Sequence, residues 1–151
     1  MSPTILIVDD CIDIARIIAC YLESASYSTV MAANGFEARR ILAGMTPDCI
    51  VLDLMMPGMS GGELLHDLRN DPATAAIPVI VASANVGHYG THFRSEVDAD
   101  YAVGKPFTRQ QIVEAVRTVL AHKAGIEAGI ELETLSAPPP PRADAGTTQS
   151  V

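Results

Sequence analysis

The chain has 151 residues, 48% of them apolar, and a formal net charge of −8. Such a length fits one domain, and its core must be aliphatic, because Trp is absent and aromatics make up only 5%. The charge argues against nucleic acid as the main partner, since phosphate backbones are held by clusters of Lys and Arg.

Thr4–Val8 is a short apolar run that predicts a buried strand. It ends on two adjacent acids, Asp9 and Asp10. Ile14, Ile17, Ile18, Tyr21 and Leu22 then recur at helical spacing and predict one apolar stripe. Residues 28–31 predict a second strand. "NGFEARRILAGM" predicts a helix with Ala38, Ile41, Leu42 and Met45 inward and Gly44 near its end. "CIVLDL", residues 49–54, is a third strand carrying Asp53. "MPGMSGG" is a loop by its Gly and Pro content. Residues 63–70 predict a helix buried through Leu64, Leu65 and Leu68. "IPVIVAS" is a fourth strand ending on Ser83, and residues 86–98 predict a helix weakened by Gly87 and Gly90. "DYAVG" is a fifth strand, and Lys105–Pro106 in the following turn is a candidate cis peptide. Thr108 opens the last helix with Gln111 three residues on, a capping-box pattern. Its expected buried stripe is Ile112, Val116, Val119 and Leu120.

Short continuous apolar strands alternating with helices predict an α/β fold: a doubly wound five-stranded parallel sheet. The natural order is flavodoxin-like, 2-1-3-4-5. The domain is expected to cover residues 1–123. Residues 124–151, with four consecutive prolines and no apolar periodicity after Leu135, are expected to form an acidic, Pro-rich disordered tail. Glu127, Glu131, Glu133 and Asp144 against Arg142 give that tail −3 of the −8, leaving −5 for residues 1–123. Cys11, Cys20 and Cys49 are an odd number without CxxC spacing, which disfavours a disulfide framework or zinc site and fits reduced thiols in the cytoplasm. No run is long and apolar enough to span a membrane, and the acid-interrupted N-terminal stretch does not read as a signal peptide.

In an open α/β sheet ligands bind beyond the carboxyl ends of the strands. This chain brings Asp9, Asp10, Asp53, Ser83 and Lys105 to that edge. Each alone has an ordinary explanation: a helix cap, a turn former, a solvated charge. Together they make a chemical set. Three clustered carboxylates repel unless a cation sits among them, and an oxygen-only donor set favours a hard ion such as Mg²⁺, which also accepts a phosphate oxygen. A carboxylate can attack phosphorus and form an acyl phosphate.

"VDD", "DLMMPGMSG", "VIVAS" and "GKPF", in that order, resemble the receiver domain of two-component response regulators, the CheY-like family. The resemblance covers residues 1 to about 123, and the motif around Asp53, with Met56, Pro57 and Gly61, is its most specific part. It implies that Asp53 accepts a phosphoryl group from a histidine kinase or phosphotransfer protein. It implies Mg²⁺ held by Asp10 and Asp53, by Asp9 through water, and by the backbone carbonyl of Met55. Lys105 would pair with the phosphoryl group, and the Ser83 hydroxyl would bind another of its oxygens and relay the phosphorylated state.

The chain departs from that pattern in places. The family carries an aromatic three residues before the lysine that turns inward on phosphorylation. Here Ala102 holds that position and the tyrosine is Tyr101, so with a regular strand the two side chains point to opposite faces. The regular strand is the expectation, and Tyr101 takes the switch role only through a bulge. Cys11 follows the acid pair and reads as a small residue at the pocket rim. His66, His88, His92 and His122 show no ligand spacing.

The expected function is a stand-alone receiver, not an enzyme, that signals to a downstream protein as a monomer or weak dimer; a relay shuttle or phosphate sink is the alternative. An Asp-nucleophile phosphatase of the haloacid dehalogenase type is remote, because it needs a second acid two residues after the nucleophile and Met55 stands there.

Overall fold

The computed structural model describes residues 2–84 and 99–127. In chain order its elements are β1 (Thr4–Val8), α1 (Ile12–Glu23), β2 (Ser28–Ala32), α2 (Gly35–Gly44), β3 (Cys49–Leu52), α3 (Gly61–Arg69), β4 (Val79–Ser83), β5 (Tyr101–Gly104) and α4 (Arg109–Glu127). All strands pair in parallel, in the order β2-β1-β3-β4-β5. This is the doubly wound order expected from the sequence. The predicted helix at 86–98, with His88 and His92, lies outside the described residues, as does the chain from residue 128 onward.

Strands buried on both faces feed two cores, because successive side chains point to opposite sides. Ile5, Ile7, Val51, Ile80 and Val103 pack with Ala15, Ile18 and Leu22 of α1 and Ile112 and Val116 of α4. Leu6, Val8, Ile50, Leu52, Val79 and Val81 pack on the other face with Ala38 of α2 and Leu64, Leu65 and Leu68 of α3. Most predicted stripes therefore face inward. Ile17 does not: it is 43% exposed, and the buried set on α1 is Ala15, Ile18, Ala19 and Leu22, spaced i, i+3, i+4, i+7. Alanines fill the places that size alone assigned to Ile17.

Helix starts follow side-chain chemistry. Thr108 and Gln111 form the expected box, with Thr108 N–H donating to Gln111 Oε1 at 2.8 Å and Gln111 N–H to Thr108 Oγ1 at 3.2 Å. Ser60 and Glu63 form a second box, which starts α3 at Gly61, two residues before the expected position. α4 runs to Glu127, past the predicted end at Lys123, and β3 ends at Leu52, before Asp53. At the opposite edge of the sheet the Arg69 guanidinium donates to the carbonyls of Ala75 and Ile77 and to Asp100, which also accepts Val79 N–H. This ties the end of α3 to the starts of β4 and β5.

The register of β5 on β4 is regular, Ile80 with Tyr101, Val81 with Ala102 and Ser83 with Gly104, without a bulge. Tyr101, 6% exposed, is therefore in the α1/α4 core, and Ala102, 1% exposed, is in the α2/α3 core. Tyr101→Ala is expected to cost about 3 kcal/mol or more of unfolding free energy, the usual loss for a large core aromatic. Urea denaturation measures it; a loss near zero would mean that Tyr101 does not pack as a core residue.

Candidate functional site

Parallel pairing of two neighbouring strands assembles the site. Val8 of β1 is in register with Leu52 of β3, and Asp53 N–H donates to Val8 O at 2.9 Å, so the acids that follow each strand emerge side by side. One carboxylate oxygen from each of Asp9, Asp10 and Asp53 lies within 4.8 Å of the others. Asp9 and Asp53 are 2% and 5% exposed, while Asp10 is open to solvent.

Each buried acid is oriented by the backbone that follows it. Asp9 Oδ1 accepts Cys11 N–H at 2.9 Å, and Asp53 Oδ1 accepts Met55 N–H at 3.1 Å. The turn-former explanation of these residues thus holds for one oxygen of each, and the other faces the cluster. Lys105 reaches in from the end of β5: its Nζ is 2.9 Å from Asp9 Oδ2 and 3.6 Å from Asp53 Oδ2. The Lys105–Pro106 peptide is cis. Ser83, fully buried at the end of β4, accepts Lys105 N–H on its carbonyl at 3.1 Å. It stands at the same edge. Met55 follows in the next loop, its side chain 59% exposed. Tyr101 and Ala102 are held in the two cores and do not belong to the acidic group.

Among the described residues, Lys105 is the single cation drawn into a group of three carboxylates. The Asp53 carboxyl is accordingly held above its ordinary range. Burial is the main cause; Asp9 and Asp10 add to it, while the Met55 N–H and Lys105 oppose it. A buried oxygen-only donor set, short of positive charge and open on the Asp10 side, fits a small hard dication such as Mg²⁺. By contrast, burial pushes the Cys49 thiol well above the usual range, so it is an inert core group.

The sequence reading did not give Gly61 its structural task. A Cβ there would collide with the carbonyl oxygen of Asp53 and come within 2.6 Å of Leu54 Cα. Glycine lets the start of α3 close onto the backbone of the central acid. The signal was present in the motif, but only the contact explains it.

Residues 5–117 match the response regulator receiver domain family. The chain is 38% identical over 120 residues to the phosphate regulon transcriptional regulatory protein PhoB of Pseudomonas aeruginosa, covering 80% of this chain and 52% of that protein. It is 34% identical over 119 residues to the DNA-binding dual master transcriptional regulator RpaA of Synechocystis, covering 78% and 49%. The chain spans about half the length of these curated relatives. Among solved structures, the receiver domain of Francisella response regulator 1452 superposes with a TM-score of 0.72 at 29% identity, covering 80% of this chain and 98% of that one. The Vibrio cholerae chemotaxis protein CheY4 gives 0.73 at 25%, covering 79% and 99%.

Fold and acidic edge define a receiver module of two-component signalling, a class in which a phosphorylated aspartate and Mg²⁺ are general features. The chain belongs to the response regulator receiver domain family.

Because Asp53 has a raised pKa in the fold, its charge destabilises the metal-free protein at neutral pH, and that cost fades as the group protonates on acidification. Metal-free Asp53→Asn is therefore expected to melt above wild type at pH 7. The gap should narrow as pH falls through the raised pKa and close once the carboxyl is protonated. Melting curves in chelator across pH 4–7, a window spanning the carboxylate range and neutrality, check both the sign and the trend.

Proposed function

We propose that Asp53 is the phosphoacceptor of a Mg²⁺-dependent switch and that the chain acts as a receiver signalling by protein–protein contact. The observation that carries the reading is the buried Asp53 carboxylate, one oxygen fixed by Met55 N–H and the other 3.6 Å from the Lys105 ammonium, beside two further acids. An oxygen of Asp53 attacks the phosphorus of a phosphohistidine on a histidine kinase or phosphotransfer protein. The O–P bond forms as the N–P bond breaks, and the imidazole leaves with the bonding electron pair. Lys105 neutralises charge on the transferred group, and the Ser83 hydroxyl takes another of its oxygens. Asp9, Asp10, Asp53 and the Met55 carbonyl would hold Mg²⁺, which when bound offsets the charge of the carboxylates and the phosphoryl oxygens.

We assign this switch to residues 1–127, which include the whole of α4, four residues beyond the boundary expected from the sequence. Output through protein contact is supported by the net charge of −8. DNA-directed output is the second reading, favoured by relatives named as DNA-binding regulators. A relay shuttle or phosphate sink would use the same chemistry at Asp53.

Acetyl phosphate with Mg²⁺ is expected to add one alkali-labile, hydroxylamine-labile phosphoryl group to the wild type and none to Asp53→Asn, whose amide is no nucleophile. Intact-mass spectrometry reads the result. A modified variant would remove Asp53 from the role, and sustained turnover of phosphomonoesters would favour a phosphatase.

Mg²⁺ that binds only the folded chain stabilises it by mass action. At a concentration roughly tenfold over its Kd the gain is about 1.4 kcal/mol. The melting temperature should therefore rise between chelator and ~10 mM Mg²⁺, a choice that assumes a millimolar Kd. Asp10→Asn should abolish most of the rise. An unchanged wild-type melting temperature would count against the metal site.

A further inference from the structure

We propose that the groove between α2 and α3 is a self-association surface, seating a second copy of this chain across a twofold axis with Phe36 as the anchor. The groove encloses about 560 Å³, with Phe36, Met59 and the backbone of Gly58 contributing apolar surface and Glu63 and Asp67 lying along α3. Phe36 is 64% exposed although it occupies the first turn of α2, where a helix in this fold could have turned it inward. Instead Gly35 faces inward, buried against Met59, and the Phe36 ring lies over Gly58, whose φ of 76° favours glycine. An exposed aromatic beside an apolar hollow is a knob next to a hole.

Charge identifies the occupant. Arg39 and Arg40 follow Phe36 by three and four residues, so they flank it on the exposed face of α2. Their side chains are 54% and 77% exposed. The facing lip, on α3, carries Glu63 and Asp67 with His66 between them, and Glu63 Oε1 also accepts Ser60 N–H at 3.0 Å. Arg39 already bridges the lips at 2.8 Å from Asp67, whereas Arg40 has only a 3.7 Å approach to Glu37. A groove with one basic lip and one acidic lip is complementary to itself: a twofold rotation lays each basic lip on the partner's acidic lip, with the two Phe36 rings between them. Closed twofold interfaces are built this way, from one patch that matches itself. A foreign cationic or anionic peptide would satisfy one lip and repel the other.

The test is sedimentation of the full 151-residue chain over about 1 µM to 1 mM, the range of weak dissociation constants. Wild type is expected to pass from monomer to dimer, and Phe36→Glu, a change at an exposed helix-start position, to raise the Kd by about tenfold or more. Charge reversal then tests the geometry. Arg40→Glu alone and Asp67→Arg alone should each fail to dimerise, because like charges meet twice, whereas an equimolar mixture should form the heterodimer, in which opposite charges meet twice. Wild type that stays monomeric throughout overturns the proposal. So does a dimer unaffected by Phe36→Glu, or a mixture of the two charge variants that remains monomeric. Circular dichroism on each variant separates loss of association from loss of fold.

Discussion

The structure is organised around a repulsion. Two adjacent parallel strands end in register and deliver three carboxylates to one small volume, two of them buried. Burial disfavours the ionised form of Asp53, and the neighbouring Asp9 and Asp10 charges add to that, which is why its carboxyl stands above its ordinary range. A fold that keeps such a cluster must gain elsewhere what it loses here. The gain comes from two aliphatic cores, one on each face of the sheet, and from Lys105, drawn across from β5 to within 2.9 Å of Asp9.

That arrangement makes the site sensitive to changes in nearby charge. Removing a partner from a strained group of charges changes its energy more than the same change on a solvated surface, because water screens little there. The oxygens not used by the backbone face the cluster, while Met55 N–H and Cys11 N–H keep the other oxygens in place. Orientation is thus supplied by main-chain N–H groups, which do not titrate. The close approach of Gly61 to the Asp53 backbone serves the same end from below.

Most of the architecture was legible because its signals are local. Continuous runs such as Thr4–Val8 and "VIVAS" announce doubly buried strands, and capping chemistry at Thr108 announces a helix start. The site was legible through topology: Lys105 and Asp9 are 96 residues apart, and only strand order brings them together. Ile17 was misplaced because a stripe read by apolar size overlooks that Ala15 and Ala19 fit a close helix–sheet contact. The inward stripe expected of α2 did not include Phe36, but the reason for its outward turn was not legible: Gly35 and Met59 take the inner place, a contact between segments that no periodicity records.

Regular pairing of β5 also limits how a change at the site can spread. Tyr101 is locked in the α1/α4 core, and exposing a side chain of that size costs about 2–3 kcal/mol. A ligand can drive such a step only through differential affinity for the two states, here on the order of a hundredfold. On the opposite face Ala102 is too small to transmit displacement by packing. Among the described residues, direct mechanical connections from the acidic cluster include the Lys105 side chain, the backbone bond from Lys105 to Ser83, the Cys11 N–H at the start of α1, and the loop from Asp53 to Gly61. The last of these carries Gly58 and Met59, which floor the groove beside Phe36. A shift of that loop alters the α2/α3 groove without crossing either core, which gives the site a path outward along the Asp53 side of the sheet that does not involve Tyr101.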